Sequence, residues 1–456
     1  MNETTFSDLR RTFESGITRS YAWRRGQLLR LRQAIRDQET DIATALYADL
    51  RKSPEESYGT ETGLVLAEIS YMLRHLRRWM RPQRVGTNLV NWPSSSRLYR
   101  DPLGVVLIIA PWNYPFQLAV LPLAGALAAG NTVVLKPSEL APATAVVIEK
   151  IVRSIFPPEI VQVVQGEGSE VVPPMIQSFR FDHIFFTGSA ATGRSIYQLA
   201  AKHLVPVTLE LGGKSPAVVE NDADLAVAAR RIVVGKFTNA GQTCIAPDYL
   251  LVQEDIREKM IQHLQAAITA MYGPDPARSP DYGRIIHKKR FDTLTGYLAQ
   301  GRVITGGQYD KTDLFIAPTL LGEVIPETPI MQEEIFGPLL PVLTYRTMEE
   351  ALAIVARNPK PLAFYLFTPD RQRQRDWMEN LSFGGGCINN ADWHFTNPHL
   401  PFGGIGASGT GAYHGKYSFD TFTHVKGVMK TPTWIDPPIK YPPFKGKLKW
   451  FKFFFR

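Results

Sequence analysis

The side chain with the clearest potential for covalent chemistry is Cys244. It lies in the short segment Gly241-Gln242-Thr243-Cys244-Ile245, which reads as a turn containing a glycine. A thiolate there could act as a nucleophile if a base activates it and if donors stabilise the oxyanion that forms. Most lone cysteines are inert packing residues, and this is the alternative for Cys244. Cys387 follows three glycines, which indicates small-residue packing.

Two other segments could supply a base and an oxyanion donor. Glu210 lies between Leu209 and Leu211 in an apolar strand pattern, where a charge needs a reason. A position on a surface strand is the alternative for this residue. Asn113, in the run 111–115 (Pro-Trp-Asn-Tyr-Pro), carries an amide that could donate to an oxyanion, although Asn before Tyr-Pro is also a common turn signal.

A glycine-containing turn follows an apolar strand at residues 185–193. Gly188 and Ser189 stand where this strand ends and a helix opens. Glycines allow a backbone to approach a phosphate, and a helix N-terminus favours anions. Because the three-glycine fingerprint is incomplete, a nucleotide-binding turn and an ordinary strand–helix turn both stay open.

Charged residues also follow a second strand and a later aromatic segment. Lys136 and Glu139 stand at the carboxyl end of a strand, where ligands of open α/β sheets bind, and could hold ribose hydroxyls. From the residues alone, a helix cap formed by Ser138 or Glu139 is favoured. In the run 333–338, Glu334 and Phe336 combine an acid with an aromatic ring, and a solvated turn is the alternative.

Helical and strand patterns show how these segments are positioned. Apolar residues recur at helical spacing over 6–80, and residues 84–101 favour a β-hairpin. Short apolar strands then alternate with helices, first up to about residue 211 and again from 215 to 390, which indicates two α/β domains in series with parallel sheets. Residues 396–456, rich in Gly, Pro and aromatic residues, are expected to form a strand-forming arm.

Composition limits the class of protein. Of the 456 residues, 44% are hydrophobic and 21% charged, as in soluble globular proteins. Two cysteines imply no disulfide framework, so a reducing compartment, the cytoplasm, is expected. The polar start at Met1–Thr5 lacks a secretory signal, and no apolar run is long enough to span a bilayer. The nine histidines lack metal-ligand spacing, so no metal is expected, and His414 is expected to be structural.

The net charge of +8 is concentrated near the end of the chain. Residues 440–456 contain six basic residues and no acid, without any motif for nucleic-acid recognition, so no nucleic-acid partner is expected. From Lys445 to Arg456 the basic residues alternate with aromatic ones. This basic-aromatic tail suits a membrane interface, but it could equally pack on a partner subunit or over the substrate entrance.

Seven segments occur in an order that resembles the aldehyde dehydrogenase superfamily. They are Pro-Trp-Asn-Tyr-Pro, Leu-Lys-Pro-Ser-Glu, Phe-Thr-Gly-Ser, Leu-Glu-Leu-Gly-Gly-Lys, Gly-Gln-Thr-Cys, Glu-Glu-Ile-Phe-Gly-Pro and Leu-Pro-Phe-Gly-Gly. The short N-terminus, the run Cys244–Tyr249 and the run Gly411–Phe419 look like the class 3 branch, which includes fatty aldehyde dehydrogenases.

The resemblance implies an α/β fold with a Rossmann-like cofactor domain, an α/β catalytic domain and a β-strand bridging and oligomerisation arm. On this reading, residues 1–83 and 103–209 form the NAD(P)-binding domain and residues 210–395 the catalytic domain. Residues 84–102 and 396–456 form the arm, which ends in the basic-aromatic tail and would pair the subunits of a homodimer.

The resemblance also implies a role for each candidate residue. Cys244 matches the nucleophile, Glu210 the general base and Asn113 the oxyanion donor. The remaining matches are contacts to NAD, with NADP as the alternative cofactor: the adenosine ribose by Lys136 and Glu139, the phosphates by Gly188 and Ser189, and the nicotinamide ribose by Glu334 and Phe336.

The implied reaction is oxidation of an aldehyde to a carboxylic acid through a cysteine thiohemiacetal and a thioester, with medium- or long-chain aliphatic or other apolar aldehydes favoured. Alternatives are a dehydrogenase that passes the acyl group to coenzyme A, a thiol esterase, and a non-catalytic binding protein. The runs Ser189–Gly193 and Arg284–Phe291 depart from the branch pattern, and the second leaves the substrate or ribose surroundings open.

Overall fold

The computed structural model describes residues 6–455; Met1–Thr5 and Arg456, at the two ends discussed above, lie outside the described residues. The α-helices in this range are α1 (Ser7–Glu14), α2 (Tyr21–Asp37), α3 (Glu39–Leu50), α4 (Pro54–Ser57), α5 (Gly63–Trp79), α6 (Gln117–Ala129), α7 (Pro142–Ile155), α8 (Gly168–Ser178), α9 (Ala190–Ala201), α10 (Leu225–Phe237), α11 (Arg257–Tyr272), α12 (Lys288–Tyr297), α13 (Pro329–Gln332), α14 (Met348–Val355), α15 (Arg371–Asn380), α16 (Lys416–Thr421) and α17 (Leu448–Phe454).

The strands of the described residues form three main sheets and one small ribbon. They are β1 (Gln83–Val85), β2 (Ser95–Pro102), β3 (Val105–Ile109), β4 (Thr132–Lys136), β5 (Val161–Val163), β6 (His183–Thr187), β7 (Val207–Glu210), β8 (Pro216–Val219), β9 (Tyr249–Gln253), β10 (Arg302–Thr305), β11 (Tyr309–Asp310), β12 (Phe315–Ile316), β13 (Thr319–Gly322), β14 (Leu339–Tyr345), β15 (Ala363–Phe367), β16 (Gly385–Ile388), β17 (Gly409–Thr410) and β18 (Thr423–Lys430).

The first sheet has the strand order β17-β7-β6-β3-β4-β5, and every pairing in it except β17–β7 is parallel. Every residue of β3 is buried, because both faces of the sheet are covered. Val105 and Leu107 pack into one hydrophobic cluster, and Val106 and Ile108 into another on the opposite face. Burial on both faces explains why these strands read as continuous apolar runs in the sequence.

The second sheet has the order β10-β13-β14-β9-β8-β15-β16 and is parallel apart from its edge strand β10. Chain order runs through the first sheet to β7 and enters the second at β8. The prediction of parallel sheets in which strands alternate with helices is therefore confirmed.

The third sheet is a three-stranded antiparallel ribbon, β1-β2-β18, and it confirms the predicted hairpin over 84–101. The expectation for 396–456 needs correction. Only β17 and β18 are strands in its described part, and β17 pairs with β7 in the first sheet rather than with the arm. A Cβ at Gly409 would overlap the carbonyl oxygen of Leu209, so the absent side chain permits this close pairing.

Helices occupy the remaining regular parts of that segment. The short helix α16 packs against α6 and α5, and α17 forms most of the basic-aromatic tail. No helix within residues 6–455 is long and apolar enough to cross a membrane.

Candidate active site

The carboxyl ends of strands in the first sheet and the loop before β9 of the second sheet meet at one cavity. Glu210 is the last residue of β7, Asn113 follows β3, and Cys244 lies in the loop before β9. The cavity has a volume of about 280 Å³. It is lined by Pro111, Trp112, Asn113, Leu118, Thr187, Gly188, Ser189, Glu210, Leu211, Gly212, Cys244, Arg290, Glu334 and Phe336.

A second cavity, of about 50 Å³, adjoins the first. The two share Cys244 and Glu210 together with Leu118, Thr187 and Leu211. Beyond these residues, the second cavity has mainly apolar and aromatic walls, which include Tyr114, Ile245, Leu362, Phe395, Phe402 and Tyr413. The thiol and the carboxyl group therefore stand between a larger compartment and a smaller, more apolar one.

Glu210 is a buried acid without a partner. Only 2% of it is exposed, and neither carboxylate oxygen forms a hydrogen bond with the described residues. Burial raises the pKa of Glu210 well above its ordinary value. The surface-strand alternative is thus wrong, and a carboxyl group with unsatisfied oxygens facing a cavity is suited to binding a water molecule.

Cys244 is partly buried in the same place. Burial raises the pKa of its thiol, and the carboxyl groups of Glu334 and Glu210 raise it further. The neutral thiol is therefore favoured in the free protein, and nucleophilic attack requires that this proton is lost first. Cys387 lies in β16 with its Sγ 3.9 Å from Nδ1 of His394, and among the described residues it lines neither cavity.

A strained turn brings the loop of Cys244 to Asn113. Asn239, Ala240 and Gly241 have successive positive φ angles of 55°, 51° and 74°. A Cβ at Gly241 would overlap the carbonyl group of Gly337, so only glycine fits there. The turn directs the carbonyl oxygen of Gln242 to Asn113, whose Nδ2 donates to it at 3.0 Å.

The backbone of Asn113 is held by buried polar side chains that the sequence did not single out. Its carbonyl oxygen accepts hydrogen bonds from Nζ of Lys52 at 3.2 Å and from Nδ2 of Asn239 at 2.7 Å. Lys52 also forms an ion pair of 2.6 Å with Glu61, and both side chains are fully buried. The other oxygen of Glu61 accepts from the amides of Phe116 and Gln117 at 2.9 and 3.1 Å, at the start of α6.

The turn after β6 lies at the larger cavity. Gly188 donates its amide to the carbonyl oxygen of Glu210 at 3.0 Å, and the Ser189 hydroxyl caps α9 by accepting from the amide of Thr192 at 3.3 Å. A Cβ at Gly188 would lie 2.6 Å from the ring of Phe186. The capped start of this twelve-residue helix places its positive end beside the cavity, which suits an anionic group.

Glu334 and Phe336 form the opposite wall. Burial raises the pKa of Glu334 to about 8, and Asp248 adds to the effect, while the amide of Gly213 and the side chain of Arg290 oppose it. A Cβ at Gly212 would overlap the carboxyl group of Glu334. The absence of a side chain at Gly212 therefore leaves the space that this carboxyl group occupies. The ring of Phe336 packs edge-on against Trp112 at a centroid distance of 5.3 Å.

Lys136 and Glu139 meet each other rather than the cavity. They form an ion pair, and Glu139 also accepts a hydrogen bond of 3.0 Å from the amide of Gly168. Burial alone would raise the pKa of Glu139, but the partners Lys136 and Gly168 outweigh it and hold the pKa below its ordinary value. The cap interpretation is wrong, because Asp49 accepts the amide hydrogens at the start of α7.

Among the lining residues that were not sequence candidates, three carry a guanidinium, imidazole or carboxyl group. Arg290, from the run that departs from the branch pattern, lines the larger cavity and donates to the carbonyl oxygens of Glu334 and Ile335. His414 and Asp392 line the smaller cavity. Asp392 carries a buried, unpartnered oxygen, and burial raises its pKa to about 7. Only its tertiary position distinguishes it from an ordinary polar turn residue.

The larger cavity carries groups suited to the nicotinamide and phosphate parts of a dinucleotide. It combines a capped helix N-terminus, an acid at Glu334 that could accept ribose hydroxyl groups, and the flat apolar walls of Trp112, Leu211 and Phe336. Thr187 adds a buried hydroxyl group without a hydrogen-bond partner among the described residues. No group of three or more potential metal ligands occurs in the part of the chain that the structure describes.

Comparison with known proteins agrees with this site. The family model described as "Aldehyde dehydrogenase family" matches residues 8–428. A 4,4'-diaponeurosporen-aldehyde dehydrogenase of Staphylococcus aureus is 47% identical over 456 residues, covering 100% of this chain and 99% of that protein. Aldehyde dehydrogenase family 3 member H1 of Arabidopsis thaliana is 44% identical, covering 98% of this chain and 93% of that protein.

Solved structures show the same similarity. The substrate-bound state of Staphylococcus aureus AldH matches with a TM-score of 0.97 and 46% identity, covering 100% of both chains. An NAD-dependent aldehyde dehydrogenase from Sinorhizobium meliloti matches with a TM-score of 0.86 and 30% identity, covering 95% of this chain and 87% of that one. The predicted fold class is confirmed by these matches.

Proposed function

Because the chain belongs to the aldehyde dehydrogenase family, and its relatives include a family 3 member, it is an NAD-dependent oxidoreductase of aldehydes. We propose that Cys244, Glu210 and Asn113 carry the reaction. The observation that carries this assignment is the position of Cys244 and Glu210 at the junction of the two cavities, with Asn113 on the wall of the larger one.

The first step is attack on the aldehyde carbon by the sulfur of Cys244. The reacting form is the thiolate of Cys244, and because burial raises the pKa of this thiol, its proton passes to solvent before the carbon–sulfur bond forms. The amide of Asn113 and the backbone N–H of Cys244 donate to the oxyanion. Each such donor is worth roughly 3–4 kcal/mol of transition-state stabilisation.

Bound NAD supplies the hydride acceptor, so the tetrahedral adduct on Cys244 becomes a thioester. Glu210 then removes a proton from a water molecule that attacks the thioester carbon, and the carboxylic acid leaves. Gly188 and Ser189 would hold the phosphates, Glu334 and Phe336 the nicotinamide side, and Lys136 and Glu139 the adenosine ribose. The negative charge of Glu139 disfavours a 2′-phosphate, so NAD is preferred over NADP.

The substrate is an apolar aldehyde with a medium or long chain. This proposal is supported by the apolar and aromatic lining of the smaller cavity, and by the S. aureus relative, which is named for 4,4'-diaponeurosporen-aldehyde. Transfer of the acyl group to coenzyme A is disfavoured, because Glu210 provides a base for water. A thiol esterase would have no use for the capped helix N-terminus and the buried acid Glu334 at the larger cavity.

The decisive experiment follows NADH absorbance with a series of aldehydes, with and without coenzyme A. Cys244→Ala should abolish NADH formation while NAD still binds, whereas Cys387→Ala, the matched control, should keep its activity. Activity should rise from short to long aldehydes and should not require coenzyme A. Substantial turnover by Cys244→Ala would rule out the nucleophile, and a strict need for coenzyme A would rule out hydrolysis.

The enzyme forms a homodimer through the arm. Strand β18 is the edge of the three-stranded sheet, and Val425, Val428 and Met429 on it are 42%, 43% and 48% exposed. An open edge with exposed apolar side chains favours pairing with another chain. Light scattering should give twice the chain mass, and Val425→Lys/Val428→Lys should give the monomer mass.

The basic-aromatic tail provides a peripheral membrane contact. Trp450, Phe453 and Phe455 are 57%, 61% and 74% exposed, and α17 is too short to span a bilayer. Lys449 and Lys452 accompany these rings, a combination that suits an anionic interface. Deleting residues 445–456 should weaken vesicle binding and leave turnover of a short soluble aldehyde nearly unchanged. A dimer that dissociates on deletion would instead favour packing on the partner subunit.

A further inference from the structure

A stripe of unpaired arginines runs from the end of α5 into the arm. Residues 74–84 contain five arginines and no acid: Arg74, Arg77, Arg78, Arg81 and Arg84. All five side chains are exposed, and within residues 6–455 none of their guanidinium groups forms an ion pair or a hydrogen bond. Arg74 and Arg78 lie one turn apart, on the same face of α5. We call these five residues, together with Arg97 described next, the arginine stripe.

The stripe continues across the arm as a pair of like charges. Arg84 in β1 lies directly opposite Arg97 in β2, which is also exposed. Side chains directly opposite each other in an antiparallel pair lie on the same face about 5 Å apart, and like charges there are destabilising. The arrangement therefore favours a negatively charged partner.

Neighbouring acids do not neutralise the stripe. Asp101 in β2 pairs with Lys426 at 2.6 Å, and Asp420 in α16 pairs with Arg100 at 2.8 Å. Glu68, the acid closest to the stripe on α5, is buried and accepts a hydrogen bond from the amide of Gly415. The positive charge of the stripe is thus available to an external ligand.

The stripe begins beside a route to the catalytic thiol. Arg74, Tyr71 and Glu68 line a cavity of about 140 Å³ that also involves Gln117, Phe395 and His414. The last three residues also line the smaller cavity that contains Cys244. Near this opening, in the segment 393–400, Trp393 and Leu400 are 55% and 45% exposed.

The other end of the stripe lies close to the end of β18, after which the chain continues toward the basic-aromatic tail. In the arm, Arg97 of β2 lies between Arg84 of β1 and Val428 of β18. Strand β18 ends two residues further on, at Lys430, and the segment that follows leads to the basic-aromatic tail. With strands about 4.8 Å apart and a rise of about 3.4 Å per residue, Arg84 lies on the order of 12 Å from this point.

We propose that the arginine stripe docks the enzyme on an anionic lipid surface, so that the route beside Arg74 opens toward the bilayer and receives an apolar aldehyde from it. The identity of the aldehyde substrate rests on the proposed function, whereas docking on the lipid surface rests on the positive charge of the arginine stripe. A bilayer is favoured over a nucleic acid because the charge borders both an opening lined by apolar residues and two exposed apolar side chains, which would insert among lipids.

The test compares two triple variants of the full-length enzyme. Arg77→Gln/Arg78→Gln/Arg81→Gln removes three charges from the stripe and leaves Arg74, which lines the route to the thiol, in place. The matched control, Arg230→Gln/Lys259→Gln/Arg371→Gln, removes three exposed and unpaired charges from α10, α11 and α15. Co-sedimentation with phosphatidylglycerol vesicles is measured at low and high salt, NADH formation is measured with hexanal, and binding of a duplex oligonucleotide is measured in parallel.

The stripe variant should bind vesicles about 100-fold more weakly than the wild type at low salt, since each basic residue near an anionic surface contributes about a fivefold factor. The control should stay within a few-fold of the wild type, and both variants should oxidise hexanal at the wild-type rate. Vesicle binding by the stripe variant equal to that of the control would overturn the proposal, as would a loss confined to the oligonucleotide. If the wild-type enzyme failed to oxidise hexanal, this would contradict the proposed function. The comparison of vesicle binding would still test whether the stripe docks on an anionic surface.

Discussion

Replacing Lys52 by methionine should show how much the oxyanion donor Asn113 depends on a buried side chain that takes no part in the reaction itself. The change keeps the length of the side chain but removes the charge from a fully buried ion pair, leaving Glu61 facing the space where Nζ stood 2.6 Å away. Removing one partner of a buried pair costs about 3–5 kcal/mol. Two amide donors still hold Glu61, so we expect the lower end, about 3 kcal/mol.

The same substitution should slow acylation moderately. The carbonyl oxygen of Asn113 loses its bond from Lys52 but keeps that from Asn239 at 2.7 Å, so the oxyanion donor shifts without being lost. We expect hydride transfer about 10-fold slower, less than the 10²–10³-fold loss expected when an oxyanion donor is removed. Single-turnover NADH formation at saturating NAD measures this step, and guanidinium unfolding measures stability.

Two comparisons make the result interpretable. Lys52→Met/Glu61→Gln removes both charges and should recover most of the lost stability, because the glutamine oxygen still accepts the amides at the start of α6. Glu220→Gln perturbs a buried carboxylate in the second domain, bonded to Trp377 at 2.8 Å, and should lower stability without slowing acylation. The reasoning is refuted if Lys52→Met unfolds at the wild-type guanidinium concentration, or if the double variant recovers nothing.

Three further outcomes follow from the site. Asn113→Ala should slow single-turnover hydride transfer by about 10²–10³-fold, and an unchanged rate would exclude its oxyanion role. Because burial raises the pKa of Glu210, the wild-type deacylation rate should rise with pH over a range well above the ordinary pKa of a glutamate, as this carboxyl group loses its proton. Glu210→Gln should give a burst of NADH, then slow turnover without that pH dependence; loss of the burst in a folded variant would assign Glu210 to thiol activation or packing. Glu139→Gln should improve the kcat/KM ratio for NADP over NAD, and an unchanged ratio would place the carboxylate away from the 2′ position.

The sequence by itself determined the fold class and the candidate residues. Strands that are buried on both faces appear in the sequence as continuous apolar runs. The alternation of these runs with helical segments is enough to predict parallel sheets. Glu210 was recognisable because a charge inside such a run is costly, and its burial follows from that pattern.

Only the tertiary structure decided which residues meet, because contacts between distant segments leave no local pattern. Lys52 and Glu61 look like ordinary charged residues near the start of the chain, yet they hold Asn113 and the start of α6. Asp392 and Arg290 likewise become visible only through the cavities that they line. The start of α7 shows the reverse case: the local cap signal at Ser138 and Glu139 was wrong, and the amide of Ala143 is instead bonded by Asp49, 94 residues before it in the chain. The spacing of apolar residues in the sequence indicates which faces of a strand are buried. Strand register and side-chain packing determine which polar groups become bonded to each other, and both depend on the whole chain.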